Sequence, residues 1–259
     1  MEEERRISRV YLFIRALVRL FSPRMTVEGA ENLPDGPAVI VGNHTQMYGP
    51  IACELYSPRK RYTWCAGQMM HLKEVPAYAY QDFWSQKPRA VRWFFKALSF
   101  LIAPLSVCVF TNADTVPVYR DSRIITTFRE SIRRLQEGAD VVIFPEHDVK
   151  YNNILYAFED KFVDVARFYH KKTGKELSFV PLYIAPRLKK MIYGAPIRFD
   201  ASAPIQAERE RICRALAQDI TRLACAQPRH TVVPYRNIPK RDYPQNLPLE
   251  VYIHEENPG

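Results

Sequence analysis

His44 is the residue in this chain whose type and position best fit proton transfer. It lies where an apolar run, residues 38–41, passes through Gly42 into a polar turn that ends at Pro50. A short apolar run bounded by turn residues predicts a buried strand, and a proline suits the start of a helix, here predicted over residues 51–56. Open α/β folds place ligands at turns that follow strand carboxyl ends, and imidazole titrates near neutral pH. We therefore expect His44 to be a general base on a strand-to-helix turn.

Four short blocks that begin at this turn follow one another along the chain. They are Asn43-His44-Thr45-Gln46-Met47-Tyr48-Gly49, Val116-Pro117-Val118-Tyr119-Arg120, Ile143-Phe144-Pro145-Glu146 and Phe179-Val180-Pro181-Leu182. Together they resemble the glycerolipid acyltransferases of the lysophosphatidic acid type, over about residues 27–199. The first block departs from that family's Asn-His-x4-Asp pattern, because Gly49 stands in the place of the aspartate. The third departs too, since the family's Glu-Gly-Thr-Arg reads Glu146-His147-Asp148-Val149.

The resemblance implies a role for several residues of these blocks. His44 would take the proton of the acceptor hydroxyl, and Glu146 would hold the acceptor's glycerol or order the site. The substrate-binding residues would be Asn43, Thr45, Arg120 and Pro181, with the guanidinium of Arg120 binding phosphate. The resemblance also implies no metal and no cofactor, with acyl-CoA or acyl carrier protein as the acyl-donating co-substrate.

Gly49 removes the carboxylate that would orient the His44 ring. A glycine preserves a tolerable helix cap at this position but supplies no charge. We hypothesise that Asp148, in the altered half of the third block, takes over this role and is a third catalytic residue. Structural interpretations remain open beside the functional ones: a hydrogen-bonded histidine in a tight turn, a solvated Arg120, and Glu146 as the cap of the next element.

Composition favours one core and an anionic partner. The chain has 259 residues, of which 47% are hydrophobic, enough for a single substantial domain. Its 37 Lys and Arg against 28 Asp and Glu give a net charge of +9, which suits membrane headgroups, phosphorylated small molecules or nucleic acid. Five cysteines without metal-ligand spacing predict reduced thiols in the cytoplasm, and the acidic first residues argue against a secretory signal.

Apolar patterns alternate between strand and helix along the rest of the chain. Strands are predicted over residues 116–119, 141–144 and 177–184, and helices over residues 125–135, 155–168 and 206–226, with stops at Gly138 and Gly174. This alternation predicts a single α/β domain, residues 23–227, with a mostly parallel sheet flanked by helices. Residues 228–259 hold six prolines and predict an extended tail over the domain surface.

Two apolar segments point to a membrane surface. Residues 1–22 include an amphipathic helix that carries Arg9, Arg15 and Arg19 away from its apolar face. Residues 93–110 are interrupted by Lys96 and Pro104, so a buried or interfacial helix is expected there instead of a membrane-spanning one. We expect peripheral association with the anionic cytoplasmic face of the membrane. Packing of either helix on the core is the open alternative.

Three functions compete at this point. The first is transfer of a fatty acyl group from acyl carrier protein or coenzyme A to a lysophospholipid such as 1-acylglycerol-3-phosphate. The second is a catalytically silent acyltransferase-like protein that binds phospholipid or anchors other enzymes. The third, nucleic-acid binding, is disfavoured because the aromatic residues sit in apolar runs and do not alternate with Lys and Arg.

Overall fold

The structure is a computed structural model that describes residues 7–84 and 88–247. The chain folds into two compact units, each made of two separate segments. Of the described residues, one unit contains those within 7–23 and 62–131, and the other contains those within 24–61 and 132–247. The division into residues 1–22, 23–227 and 228–259 stays a prediction, and its outermost parts, residues 1–6 and 248–259, lie outside the described residues.

The larger unit is an α/β structure built on a mostly parallel sheet. Its strands are β1 (Thr26–Glu28), β2 (Ala38–Gly42), β5 (Asp140–Ile143), β8 (Ser178–Ala185), β9 (Lys190–Tyr193) and β10 (Ile197–Arg198). β2 pairs in parallel with β5 on one side and β8 on the other, and β1 pairs in parallel with β9. The β8–β9 and β8–β10 pairs are antiparallel. A separate hairpin joins β6 (Glu146–Lys150) to β7 (Tyr156–Phe158).

Helices cover both faces of this sheet. They are α2 (Tyr48–Tyr56), α6 (Asp164–Thr173) and α7 (Ile205–Cys225). Successive side chains of a strand point to opposite faces, and β8 follows this rule. Val180, Leu182 and Ile184 pack in one cluster with Ala52 and Cys53 of α2. Its intervening residues Tyr183 and Ala185 pack with Ile220 and Ala224 of α7. The predicted α/β class, with a mostly parallel sheet flanked by helices, is confirmed.

The smaller unit carries the two apolar helices. It contains α1 (Arg9–Phe21), α3 (Val75–Ala79), α4 (Arg92–Asn112), the parallel strands β3 (Arg61–Ala66) and β4 (Thr115–Val118), and the first part of α5 (Ile124–Gln136). The start of α1 meets the end of α4, because Ser8 N donates to Asn112 Oδ1 at 2.8 Å.

Much of the apolar surface of α1 and α4 faces solvent. Leu20 and Phe21 are 74% and 82% exposed, and Trp93 and Leu101 are 73% and 76% exposed. Among the described residues, the helical stretch Arg89–Asn112 is long and apolar enough to cross a membrane, and only 17% of its most apolar window is buried. α4 packs on the core of its unit along one side only, where Ala103 is buried with Met69, Val75 and Ala79.

One sequence-based expectation needs correction. Residues 155–168 were expected to form one helix, but β7 occupies Tyr156–Phe158, and α6 begins only at Asp164. The apolar residues at helical spacing therefore belong to a strand, a 3-10 turn over Asp160–Val163 and a helix in succession. In the described part of the tail, residues 228–247, Thr231 and Gln245 form an antiparallel bridge.

Candidate active site

The turn that carries His44 begins at a buried asparagine. Asn43 follows β2 directly, and its side chain pairs with the backbone of Ile184 on β8. The Nδ2 group donates to Ile184 O at 3.0 Å, and Oδ1 accepts from Ile184 N at 2.7 Å. Because both polar ends of the amide hold a neighbouring strand, Asn43 fixes where the turn starts. This structural contact occupies the amide for which substrate binding was expected.

Glu146 holds the turn through the backbone of His44. It is the first residue of β6 and is 6% exposed. Its Oε1 accepts from His44 N at 2.6 Å, and its Oε2 accepts from Tyr156 N at 2.7 Å. Burial raises the pKa of Glu146 to about 7, and the two backbone donors act in the opposite direction. The carboxyl thus ties the turn to the hairpin and does not hydrogen-bond the imidazole.

The two residues after His44 adopt a strained backbone. Thr45 has φ of 45° and Gln46 has φ of 56°. This left-handed region is sterically costly for residues other than glycine, and most of all for a β-branched residue such as threonine. Strain of this kind persists only where the surroundings impose it, and it concentrates at functional sites. Thr45 Oγ1, which belongs to a residue predicted to bind substrate, is also buried without a hydrogen-bond partner among the described residues.

The His44 ring lies between two aromatic side chains. Its centroid is 5.3 Å from that of Phe144 and 5.7 Å from that of Tyr235, and both pairs are edge-to-face. Burial lowers the pKa of His44 from 6.5 to about 4, although an interaction with the backbone of Gln46 acts in the opposite direction. The imidazole is therefore neutral at pH 7, which is the protonation state that a general base needs. Its Nδ1 atom is buried and has no hydrogen-bond partner in the described part of the chain.

Asp148 does not support the His44 ring in this structure. Its side chain is 82% exposed, and its Oδ1 lies 3.7 Å from Nε of Arg236. β6 places Glu146 and Asp148 two residues apart, but only Glu146 is buried against the turn. In the described residues, neither carboxyl hydrogen-bonds the imidazole. No contact in the structure therefore supports the hypothesis that Asp148 replaces the aspartate of the resembled family.

Gly49 leaves no space for that aspartate either. An added Cβ would lie 2.4 Å from the backbone oxygen of His44 and 3.1 Å from the ring of Phe144. Real Cβ atoms do not approach a backbone oxygen that closely, so any larger residue would have to displace the turn. The turn itself has closed over the position where the family has its carboxylate.

The remaining predicted residues lie elsewhere. Pro181 is buried within β8, where it pairs in register with Val41, and its carbonyl accepts from Gly194 N at 2.8 Å. Arg120 is exposed and belongs to the smaller unit. Next to it, Arg123 stacks 4.0 Å above the ring of Tyr119.

Sequence reasoning missed the residues of the tail that meet this turn. Gln46 Nε2 donates to the hydroxyl of Tyr243 at 3.0 Å and to the backbone oxygen of Arg236 at 3.4 Å, and the ring of Tyr235 contacts His44. These residues show no helical or strand periodicity. Their only signal was the presence of aromatic and basic side chains in a proline-rich segment.

Comparisons with known proteins find similarity among solved structures and none among protein sequences. No protein-family model and no curated protein sequence matches the chain. Among solved structures, the chain is similar to the 1-acyl-sn-glycerophosphate (LPA) acyltransferase PlsC from Thermotoga maritima, with a TM-score of 0.47 and 15% sequence identity. The match covers 85% of this chain and 81% of that one. Similarity at this level does not assign the chain to a family.

Proposed function

We propose that this protein is an acyltransferase that moves a fatty acyl group from coenzyme A or acyl carrier protein to the hydroxyl of a lysophospholipid such as 1-acylglycerol-3-phosphate. The observation that carries the proposal is the neutral imidazole of His44 on a strained turn that the buried Glu146 holds through its backbone. A residue of this type, held in this way at the carboxyl end of parallel strands, suits proton transfer. The four sequence blocks support the same reaction.

In the proposed reaction, His44 removes the proton from the acceptor hydroxyl while the hydroxyl oxygen attacks the thioester carbonyl carbon. A carbon–oxygen bond forms, the carbon–sulfur bond breaks, and the imidazolium returns its proton to the leaving thiolate. Glu146 acts as a positioning residue, because it holds the backbone of the histidine and not the reacting atoms. A pKa of about 4 makes the closed site a poor proton acceptor, so the reaction requires His44 to become better solvated or paired than it is here.

The lipid acceptor would be met at an anionic membrane surface on the cytoplasmic side. Exposed apolar side chains on α1 and α4 favour this, as do the arginines of α1 and the net charge of +9. The protein would bind peripherally, with the apolar faces of the two helices at the level of the headgroups.

A second candidate is a catalytically silent phospholipid-binding protein of the same fold class. Two observations favour it: the described residues supply no carboxylate to the His44 ring, and Gly49 has no room for one. When an orienting carboxylate is lost from the Ser-His-Asp triad, the turnover falls about 10⁴-fold. Both candidates require lipid binding, and only the first requires thioester consumption.

Thioester consumption by the full chain distinguishes them. The assay supplies radiolabelled acyl-CoA or acyl carrier protein with lysophosphatidic acid in anionic vesicles, and compares wild type with His44→Ala and with the control His170→Ala on α6. We expect product formation to fall roughly 10²- to 10⁴-fold in His44→Ala, the usual effect of a general base, and to stay unchanged in the control. A wild-type protein that binds the vesicles and consumes no thioester would establish the silent alternative.

A further inference from the structure

Hydrogen bonds between the two ends of a loop in the tail hold it closed against α7. We call residues 232–244 the tail loop, and the hydrogen-bonded residues at its two ends its base. Val232 N donates to Pro244 O at 2.8 Å, His230 N donates to Asn246 Oδ1 at 2.8 Å, and Asn246 N donates to His230 O at 3.1 Å. The amide of Asn246 also donates to Ala224 O at 2.8 Å on α7. His230 and Asn246 are 6% and 3% exposed, so these hydrogen bonds are shielded from water.

A further side-chain contact fixes the base to the sheet. The hydroxyl of Tyr183 on β8 lies 2.7 Å from Nε2 of His230, and both residues are buried. On the other side of the ring, Nδ1 of His230 lies 2.8 Å from Pro228 O. Closely spaced ends with a compact base define an Ω-type loop, and such loops are frequently functional.

We call residues 235–243 the tip of the tail loop. The tip contacts the His44 turn, and its contacts are more exposed than those of the base. Its contacts include the ring of Tyr235 on His44 and on Tyr156, the hydrogen bonds from Gln46 to Tyr243 and Arg236, and the exposed 3.7 Å ion pair between Arg236 and Asp148. Exposed ion pairs contribute little to stability, and a partly exposed hydrogen bond contributes modestly. Local opening is therefore expected at the tip before the base.

The His44 turn, which the tip contacts, has unsatisfied polar atoms. His44 Nδ1 and Thr45 Oγ1 are both buried without a hydrogen-bond partner among the described residues. Buried polar atoms normally have partners, so the closed arrangement of this turn is energetically costly. Opening the tip would remove Tyr235 from the His44 ring and let water or a ligand approach the imidazole.

We propose that the tail loop is a lid that opens on its base to expose the His44 imidazole, and that Tyr235 is a positioning residue that seats the ring when the lid is closed. The identity of the ligand admitted rests on the proposed function, but the motion does not.

The lid is tested by the chemical reactivity of His44 in the full-length protein. Diethyl pyrocarbonate acylates a neutral imidazole nitrogen with release of ethyl carbonate, and peptide mass spectrometry gives the rate at each histidine. The decisive variant is Tyr243→Phe, because it removes the hydroxyl that holds Gln46 and leaves the ring of Tyr235 in place. We expect its His44 to react roughly two- to tenfold faster than in wild type, as the loss of one such hydrogen bond allows. Tyr235→Ala should increase the rate by roughly the same factor or more.

Two controls separate lid opening from unfolding. His170, on α6, should react at the wild-type rate in every variant. Asn237→Ala changes an exposed residue of the tail loop and should leave the His44 rate unchanged. Equal His44 rates in wild type, Tyr243→Phe and Asn237→Ala, with His170 unchanged, would overturn the lid. Accelerated His44 modification in a protein that consumes no thioester would support the lid and contradict the proposed reaction.

Discussion

Gly49 and His44 together explain why this turn has no carboxylate at position 49, where the acyltransferases that the sequence resembles have an aspartate. The backbone oxygen of His44 occupies the space into which a side chain at position 49 would project. The carboxyl that does reach the turn, Glu146, binds the backbone N–H of His44 and leaves the ring to aromatic neighbours. The chemistry of the site therefore depends on a neutral, poorly solvated imidazole.

This close approach predicts a cost for any larger residue at position 49. Gly49→Ala should lower the free energy of unfolding by about 1–3 kcal/mol, the usual effect of overpacking, because the new Cβ would meet a backbone atom that cannot rotate away. Gly49→Asp should be at least as destabilising and should gain no acyl transfer. Urea unfolding midpoints measure the effect.

The control for this prediction is Gly36→Ala. No atom lies within 4 Å of a Cβ added at Gly36, so this substitution should leave the midpoint nearly unchanged. A Gly49→Ala protein as stable as Gly36→Ala would show that the turn relaxes easily, and the steric account of the missing aspartate would then be abandoned.

The apolar helices of the smaller unit predict how the protein binds membranes. Replacing Leu20 and Phe21 of α1 by serine, or Trp93 and Leu101 of α4, should weaken binding to vesicles of phosphatidylcholine and phosphatidic acid by at least roughly tenfold per helix. The reason is that each fully buried apolar side chain is worth about 1.5–3 kcal/mol. Vesicle flotation at several salt concentrations measures this affinity.

Ile125→Ser in α5 is the matched control, since Ile125 is 63% exposed and belongs to neither helix. Its affinity for vesicles should equal that of wild type. A parallel titration with RNA tests the third function considered from the sequence. Unchanged vesicle binding in all the helix variants would remove α1 and α4 from the interface, and tighter binding to RNA at the same salt would favour nucleic acid.

The elements differ in how far the sequence could predict them. α1, α5 and α7 have repeated apolar positions at helical spacing, so their periodicity located them. β6 and β7 were missed because these short strands depend on tertiary contacts, above all on the Glu146 carboxyl that joins Tyr156 to the His44 turn. The pattern of apolar residues within one segment does not predict a contact with a distant segment.

The candidate site was predicted in the same uneven way. Residue type and position pointed to His44, the resemblance implied Glu146, and the structure brings both to one turn. The contribution of the tail could not be predicted, because Tyr235 and Tyr243 approach the turn only after the chain has passed through α7 and folded back. Local sequence patterns do not predict long-range contacts of this kind.

The whole molecule should show the opposed titrations of His44 and Glu146 as a dependence of stability on pH. Burial lowers the pKa of His44 from 6.5 to about 4, so its contribution is complete above pH 6.5 and is lost as the pH falls through 4. Burial raises the pKa of Glu146 from 4.5 to about 7, so its contribution is complete below pH 4.5 and is lost as the pH rises through 7. Between pH 4.5 and 6.5 the two groups change the free energy of unfolding in opposite directions, so their effects largely cancel in the wild-type protein.

Single substitutions should separate the contributions of His44 and Glu146 to the pH dependence of stability. The stability of wild type relative to His44→Gln should fall by about 3 kcal/mol between pH 7 and pH 4, because a shift of one pKa unit corresponds to about 1.4 kcal/mol. The stability of wild type relative to Glu146→Gln should change by a similar amount in the opposite direction. Urea unfolding from pH 4 to pH 8 measures both, with the non-titrating Asn237→Ala as the control. A flat difference for His44→Gln would mean that its imidazole is already solvated, as in a lid that stands open, and the closed site described above would then be a minor state.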